Sequence, residues 1–492
     1  MTRAYLGVDI GTSSSKGVLV DEAGRILDTV VLAHEVRRPH PGHVEMDGQV
    51  WWREFVKIAE ELLDRMRVDI IAVGVSGMGP CVLVTDVRDE PLRPAMLYGV
   101  DMRATEQIRR MTERFGDEQL LAQCGSVLTT QAVGPKLAWL ADNEPELVAR
   151  ARRLYMPASW IVRRLTGEYV LDRHSASQCT PLFDRGALDW ERAWASEIAP
   201  WLELPRLAWP EEIVGTTREH VAGIPAGTPV VAGTIDAWTE SLSVGAHRPG
   251  DLMLMYGTTM FLIASARHRM SSPSMWGTVG VREGTWNLAG GLAASGAITA
   301  WIAELCGVDF TTLADEADAS APGARGLLML PYFAGERTPI MDPDARGLLV
   351  GLTLEHTRGD LYRAALEATA LAVRHNLEAM AHAGVEISRV AAVGGGTKAR
   401  AWTQTVSDVT GLEQELRAVT VGASYGAAHL AALAVDPLAD IDAWNPVAKR
   451  ITPSAHLAEF FDARYRLYRD IYESSAEVMH ALAAEQYSTV RQ

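Results

Sequence analysis

Apolar and polar positions fall into a readable order from residue 4 onward. Residues 4–10 form a short apolar run ending in Asp9-Ile10-Gly11-Thr12. A second run follows at 16–20 and a third at 26–32, with Asp21-Glu22-Ala23-Gly24 between them. Short apolar runs joined by Gly-containing turns predict a meander of three strands. The period then changes at 47–66. Trp51, Phe55, Ile58, Leu62 and Met66 recur at helical spacing, and Asp47 stands where an N-cap belongs. Residues 69–76 are apolar almost throughout, which predicts a strand buried on both faces. Strands and helices alternate beyond this point, so an α/β layered domain is expected.

The second half repeats the opening. A strand is expected at 228–234, and a second meander starts at 250–256. Gly257-Thr258-Thr259 turns that strand into 261–264, as Gly11-Thr12-Ser13 turns the first strand into 16–20. This reads as a weak internal duplication, one copy per domain. The loop chemistry of Ala246-His247-Arg248-Pro249-Gly250 places the boundary near 240–250. Domains of 1–245 and 246–440 are therefore expected, with a helical extension over 441–492. A small-residue helix is expected at 360–380, a strand at 390–396 ending in three glycines, a helix at 402–410 and a terminal helix at 455–485.

Composition changes this picture little. A chain of 492 residues is too long for one ordinary core and suits two domains. Its net charge of −16 makes nucleic acid and anionic membranes poor partners. An anionic ligand stays compatible, because backbone N–H groups and a metal ion can hold phosphates. No leader or membrane span is expected. The four cysteines, Cys81, Cys124, Cys179 and Cys306, have no C-x-x-C spacing and suit a reducing cytoplasm. His40 and His43 are spaced like metal ligands but lack partners, so zinc is not expected. Trp194, Trp201 and Trp209 read as packing residues.

Four motifs carry candidate chemistry. In Asp9-Ile10-Gly11-Thr12-Ser13-Ser14-Ser15-Lys16, a strand-end Asp precedes a tight turn whose N–H groups suit phosphate, while the carboxylate suits Mg²⁺. Gly257-Thr258-Thr259 is its duplicate; a plain hairpin is the alternative reading of either turn. Gly394-Gly395-Gly396-Thr397-Lys398 lets a ring or a phosphate approach the backbone closely, without the spacing of a Walker A loop or a Rossmann fingerprint. Finally, Asp236 follows a strand in Gly233-Thr234-Ile235-Asp236-Ala237. It suits a general base at a strand end and equally a helix start, and the residues alone leave both readings open.

Together these motifs resemble the FGGY family of carbohydrate kinases. The most specific match is Gly347-Leu348-Leu349-Val350-Gly351-Leu352 followed by Asp360-Leu361-Tyr362-Arg363-Ala364-Ala365-Leu366-Glu367, which fits every defined position of a family signature. Gly335-Glu336-Arg337-Thr338-Pro339 and Pro41-Gly42-His43-Val44-Glu45 with Trp51-Trp52 resemble segments of pentulose kinases, and Lys136-Leu137-Ala138-Trp139-Leu140-Ala141-Asp142-Asn143 resembles a second family signature past its leading positions. The resemblance runs from residue 4 to about 435. It implies the two-domain, ribonuclease H-like and actin-like ATPase fold of sugar kinases, with a duplicated core and an interdomain cleft.

The resemblance also implies roles and ligands. ATP and Mg²⁺ are the implied cofactors, a small sugar the implied substrate, and a homodimer the implied assembly. Asp236 matches the catalytic base and Asp9 the metal-linked carboxylate. Thr12, Ser13 and Lys16 belong to the first phosphate turn, Gly257 and Thr258 to the second. Gly395, Gly396 and Lys398 match the adenosine-side loop. Met78, Gly79, Asp101 and Arg103 fall on the sugar side. One departure stands out. Xylulokinases carry Ser-Gly-Gln-Met-His-Gly where this chain has Ser76-Gly77-Met78-Gly79-Pro80-Cys81, without the Gln and the His. The overall pattern favours D-xylulose, with ribulose, L-xylulose, erythritol or gluconate as alternatives. A nucleotide-binding regulatory protein of the same fold is the other alternative.

Overall fold

In the computed structural model, which describes residues 1–490, the duplication is explicit. The first sheet runs Ile213–Thr216, Pro229–Val231, Val68–Gly77, Thr2–Ile10, Ser14–Asp21, Ile26–Ala33. The second carries an extra edge strand, Trp276–Val279, and then repeats the order in reverse. Trp286–Leu292, Met260–Ala266, Asp251–Tyr256, Arg389–Val393, Gln414–Arg417 and Val447–Ile451 correspond to Ile26–Ala33 through Ile213–Thr216. Directions agree as well. Thr2–Ile10 is parallel to Val68–Gly77 and antiparallel to Ser14–Asp21, and Asp251–Tyr256 stands in the same relation to Arg389–Val393 and Met260–Ala266.

Apolar periodicity explains the layers. Helix Gly48–Arg65 turns Trp51, Phe55, Ile58 and Leu62 into the first sheet, and Asp47 caps it by accepting the Gln49 N–H at 2.9 Å. Met66 is its C-cap. The opposite face of the sheet is covered from far along the chain. Helix Ala423–Val435 sets Tyr425, Ala428, Ala431 and Ala432 against Tyr5, Val18, Val20 and Ala72. It also lies beside helix Asp236–Ser243, the segment that leads out of the first sheet. Residues after 246 thus complete the first layer structure as well as building the second.

In the second domain, helix Arg358–His382 is longer than its sequence pattern implied. Thr357 and Asp360 form a reciprocal capping box that starts it. The segment from 441 is not wholly helical, because Val447–Ile451 pairs with Gln414–Arg417 as an edge strand. Terminal helix Ala458–Val490 docks on the second core, with Tyr468 Oη 2.7 Å from Tyr332 Oη. The expected strand 228–234 is broken into Pro229–Val231 and Thr234–Ile235, with Gly233 at φ +69° between them. A Cβ at Gly233 would lie 2.0 Å from the Val75 carbonyl, so a glycine there lets the chain step in towards strand Val68–Gly77. Among the described residues no single helix is long and apolar enough to cross a membrane.

Candidate active site

Parallel pairing brings three strand ends to one edge of the first sheet. Asp9 pairs with Ser76 and Ile10 with Gly77, and Thr234 and Ile235 pair with the same two residues from the other side. The turn after Ile10, the loop after Gly77 and Asp236 therefore leave the sheet together. Parallel strands of the second sheet do likewise. Met255 pairs with Val393, so the Gly257 turn and the glycine loop at 394–396 leave that sheet at a common edge.

A cavity of about 420 Å³ lies between these edges. The first domain lines it with Asp9, Lys16, Gly79, Tyr98, Gln131, Gln178, Asp236 and Glu240. The second domain adds Met255, Thr259, Phe261, Trp276 and Arg337. A second cavity of about 350 Å³ adjoins it and shares Tyr98, Gln131, Trp276 and Arg337.

Asp236 is the first residue of helix Asp236–Ser243 and accepts the Ala237 N–H at 2.7 Å. It thus begins a helix and faces the cavity at once. Burial, and next the charge of Asp9, push its carboxyl well above the ordinary range. Asp9 is raised by burial too, against the Ser76 hydroxyl that donates to it at 2.8 Å and the charge of Lys16. Glu240, one helical turn beyond Asp236, is pushed up to about 7 by burial and then by Asp9. Among the described residues no group of three or more His, Cys, Asp or Glu is arranged to hold a metal by itself.

The first turn is braced from behind. His34 Nε2 lies 3.1 Å from the Gly11 carbonyl and its Nδ1 2.9 Å from Glu54, which also accepts the Ser15 hydroxyl at 2.5 Å. Burial works against the charged ring, but Glu54 and the carbonyls of the turn outweigh it and raise the His34 pKa. Thr12 bonds Tyr98 Oη at 3.1 Å, and Ser13 is exposed. Lys16 lines the cavity and donates to the Val421 carbonyl at 2.9 Å, a tie between the two halves of the chain. The second turn is held by the N-terminus of helix Gly296–Cys306. Gly257 and Thr258 carbonyls accept from the Gly296 and Ala297 N–H groups at 3.1 Å, and Thr259 is the member of the turn that lines the cavity.

Some expected residues lie elsewhere. Met78 is buried one layer back, its sulfur 3.7 Å from Thr12 Oγ1, whereas Gly79 lines the cavity. Asp101 and Arg103 are spent on each other, at 2.7 Å, and on their neighbours: Asp101 accepts the Val44 N–H, and Arg103 pairs with Glu45. Neither lines the cavity; they pin the loop that carries Tyr98. Lys136 supports the same loop by donating to the Tyr98 and Thr130 carbonyls at 3.0 and 2.6 Å. Gly395 and Lys398 are exposed at the edge of the second sheet, where a Cβ on Gly395 would meet nothing within 4 Å. Gly396 is the tight position, since a Cβ there would press on Trp402 and Tyr256.

The sequence motifs did not point to Tyr98, Gln131, Gln178, Trp238, Glu240, Phe261 or Trp276 as cavity residues. Glu240 alone carried a signal, its i+4 spacing from Asp236 on a helix. Trp194 and Trp209 do pack elsewhere, Trp194 on Phe115 and Trp209 beneath Arg173.

Comparison with known proteins decides the family. Residues 4–242 match the N-terminal domain of the FGGY family of carbohydrate kinases, and residues 252–435 match its C-terminal domain. A xylulose kinase of Streptomyces coelicolor is 32% identical over 461 residues, 90% of this chain and 91% of its own. The chain belongs to the FGGY family of carbohydrate kinases. This FGGY kinase is also 28% identical to a xylulose kinase of Escherichia coli over 490 residues, 96% of the chain and 100% of the relative. The crystal structure of a xylulose kinase from Rhodospirillum rubrum superposes with a TM-score of 0.91 at 30% identity, covering 97% of this chain and 100% of that one. The architecture is that of a two-domain sugar phosphotransferase, and the family implies ATP as cosubstrate.

Proposed function

We propose that this FGGY kinase transfers the γ-phosphoryl group of ATP to a hydroxyl of a pentulose, D-xylulose before others, in the cytoplasm. One observation carries the reading: Asp236, raised and recessed, faces the same interdomain cavity as Asp9 and Lys16. The xylulose kinase relatives, matched over nearly the whole chain, support the substrate.

Phosphoryl transfer needs positioning and charge support more than covalent chemistry. Asp236 would accept the proton of the attacking hydroxyl. The Thr12–Ser13 turn with Lys16, and the Gly257–Thr258 turn facing it from the second domain, would hold the triphosphate. Gly395, Gly396 and Lys398 would border the adenosine. Mg²⁺ suits the residues present: Asp9, Asp236 and Glu240 line one cavity, where burial, and for the last two the charge of Asp9, disfavours the ionised carboxylates that a divalent cation would stabilise. Asp9 would hold the ion, partly through water, as Mg²⁺ sites with one or two carboxylates do. Bound there, Mg²⁺ would neutralise charge on the phosphate oxygens. Aromatic walls at Trp238, Phe261 and Trp276 would exclude water from the reacting groups.

A coupled ADP-release assay with D-xylulose, ribulose, L-xylulose, erythritol and gluconate tests the reading. D-xylulose should give the highest kcat/KM. ATP binding with no sugar-stimulated ADP release from any of them would overturn it. A second test concerns the brace behind the first turn. His34→Phe removes the partner of both Glu54 and the Gly11 carbonyl, so the KM for ATP should rise several-fold, about the effect of one buried hydrogen bond. The KM for sugar should hold. An unchanged ATP KM would remove His34 from phosphate positioning.

A further inference from the structure

Two carboxamides in the cavity wall take no part in phosphoryl transfer, and the protein fixes the polarity of each. Gln178 follows the short helix Arg173–Ser177, on which His174 is fully buried. His174 Nδ1 lies 2.6 Å from the Val279 carbonyl on the edge strand of the second domain. A carbonyl only accepts, so Nδ1 carries the hydrogen. Burial pulls the imidazole down to about 4, so the ring is neutral and Nε2 presents a lone pair. Gln178 Nε2 stands 2.9 Å from it and must donate. The chain of constraint from Val279 through His174 thus leaves Gln178 Oε1 as the free atom, an acceptor.

Gln131 is fixed in the opposite sense. The Gly99 N–H donates to its Oε1 at 2.8 Å, so the NH₂ group is left over as a donor. Both residues line the cavity, and among the described residues neither free atom has a protein partner. The loop after Gly77 contributes no side-chain donor there, since it reads Met78-Gly79-Pro80.

Resting on the kinase reading, we infer that Gln131 and Gln178 are the specificity-determining pair of the sugar site, Gln131 Nε2 donating to one oxygen of the ketose and Gln178 Oε1 accepting from one of its hydroxyls. A site with such fixed groups rejects a sugar lacking the matching hydroxyl, because the amide is then left unpaired. His174 is a positioning residue that holds Gln178 in this orientation.

Gln131→Glu and Gln178→Met, made in the full chain, test this. Gln131→Glu keeps the acceptor for Gly99 and replaces the donor with a carboxylate oxygen, which repels the sugar oxygen that the amide would meet. Each variant should raise the KM for D-xylulose about tenfold or more, the scale of one hydrogen bond in a closed site, with the KM for ATP held within about twofold. Singly deoxygenated xyluloses give the second readout. The wild type should discriminate against at least two of them, and each variant should lose discrimination at one position. An unchanged sugar KM or unchanged discrimination in either variant overturns the pair. Equal rises in sugar and ATP KM with a lowered Tm would mark a structural role and overturn it too. If the wild type shows no sugar-dependent ADP release at all, the kinase reading fails instead.

Discussion

Asp236→Asn should lower kcat at least about 10²-fold while ATP binding stays nearly intact, the loss expected when a general base is removed. Asn has the same shape, and its Oδ1 can still accept the Ala237 N–H that Asp236 accepts at 2.7 Å. What disappears is the site for the proton. The pH profile supplies a second check. Burial and the neighbouring Asp9 favour the protonated form of Asp236, so its pKa is raised. A raised base is ionised only above its pKa, so kcat/KM should climb as pH rises through a value above the ordinary carboxylate range and fall away below it. The residual activity of Asp236→Asn should lack that acid limb. Near-normal turnover in the variant, or an acid limb that survives it, would show that another group takes the proton.

The second large effect concerns the junction between the domains. Gly426→Val should destabilise the protein by about 3 kcal/mol, the upper end of the usual overpacking cost, and reduce kcat with it. A Cβ at Gly426 would lie 1.9 Å from the Thr239 carbonyl oxygen, and backbone on both sides leaves nothing flexible to yield. The helix cannot retreat the other way either. It rests on the first sheet where Gly7 would place a Cβ 2.1 Å from the Ser424 carbonyl, and Gly74 one 1.9 Å from that of Ala427. Relief must come by moving helix Asp236–Ser243, which carries Asp236 at its start and Glu240 a turn later. Thermal unfolding and kcat measured together decide the matter. An unchanged Tm would mean that the two helices part without cost; a lowered Tm with normal kcat would uncouple the junction from the site.

Much of the site's frame was legible along the chain because it depends on neighbours in sequence. A strand end followed by Gly and hydroxyl residues reads as a turn wherever it occurs, and two such turns disclosed the duplication. Asp236 stood out because one apolar run ends just before it. Other assignments needed more than local pattern. The resemblance puts Asp101 and Arg103 on the sugar side, but ion pairing inside the loop uses both side chains up and leaves Tyr98 to face the cavity.

Sequence by itself determined the strands, the capped helices, the paired turns and the family, since each rests on periodicity, turn chemistry or ordered motifs. The tertiary structure alone decided which residues share the cavity. Parallel pairing set Asp9, Ser76 and Asp236 at one edge although they are distant in the chain. The close approach of helix Ala423–Val435 to Gly7 and Gly74 completed the first domain from the other end of the sequence. A carbonyl at Val279 fixed which end of the Gln178 amide faces the cavity. Such relations are invisible to a linear pattern, because backbone contact distances and hydrogen-bond partners between remote segments depend on how the sheets stack, and no run of neighbouring residues encodes them.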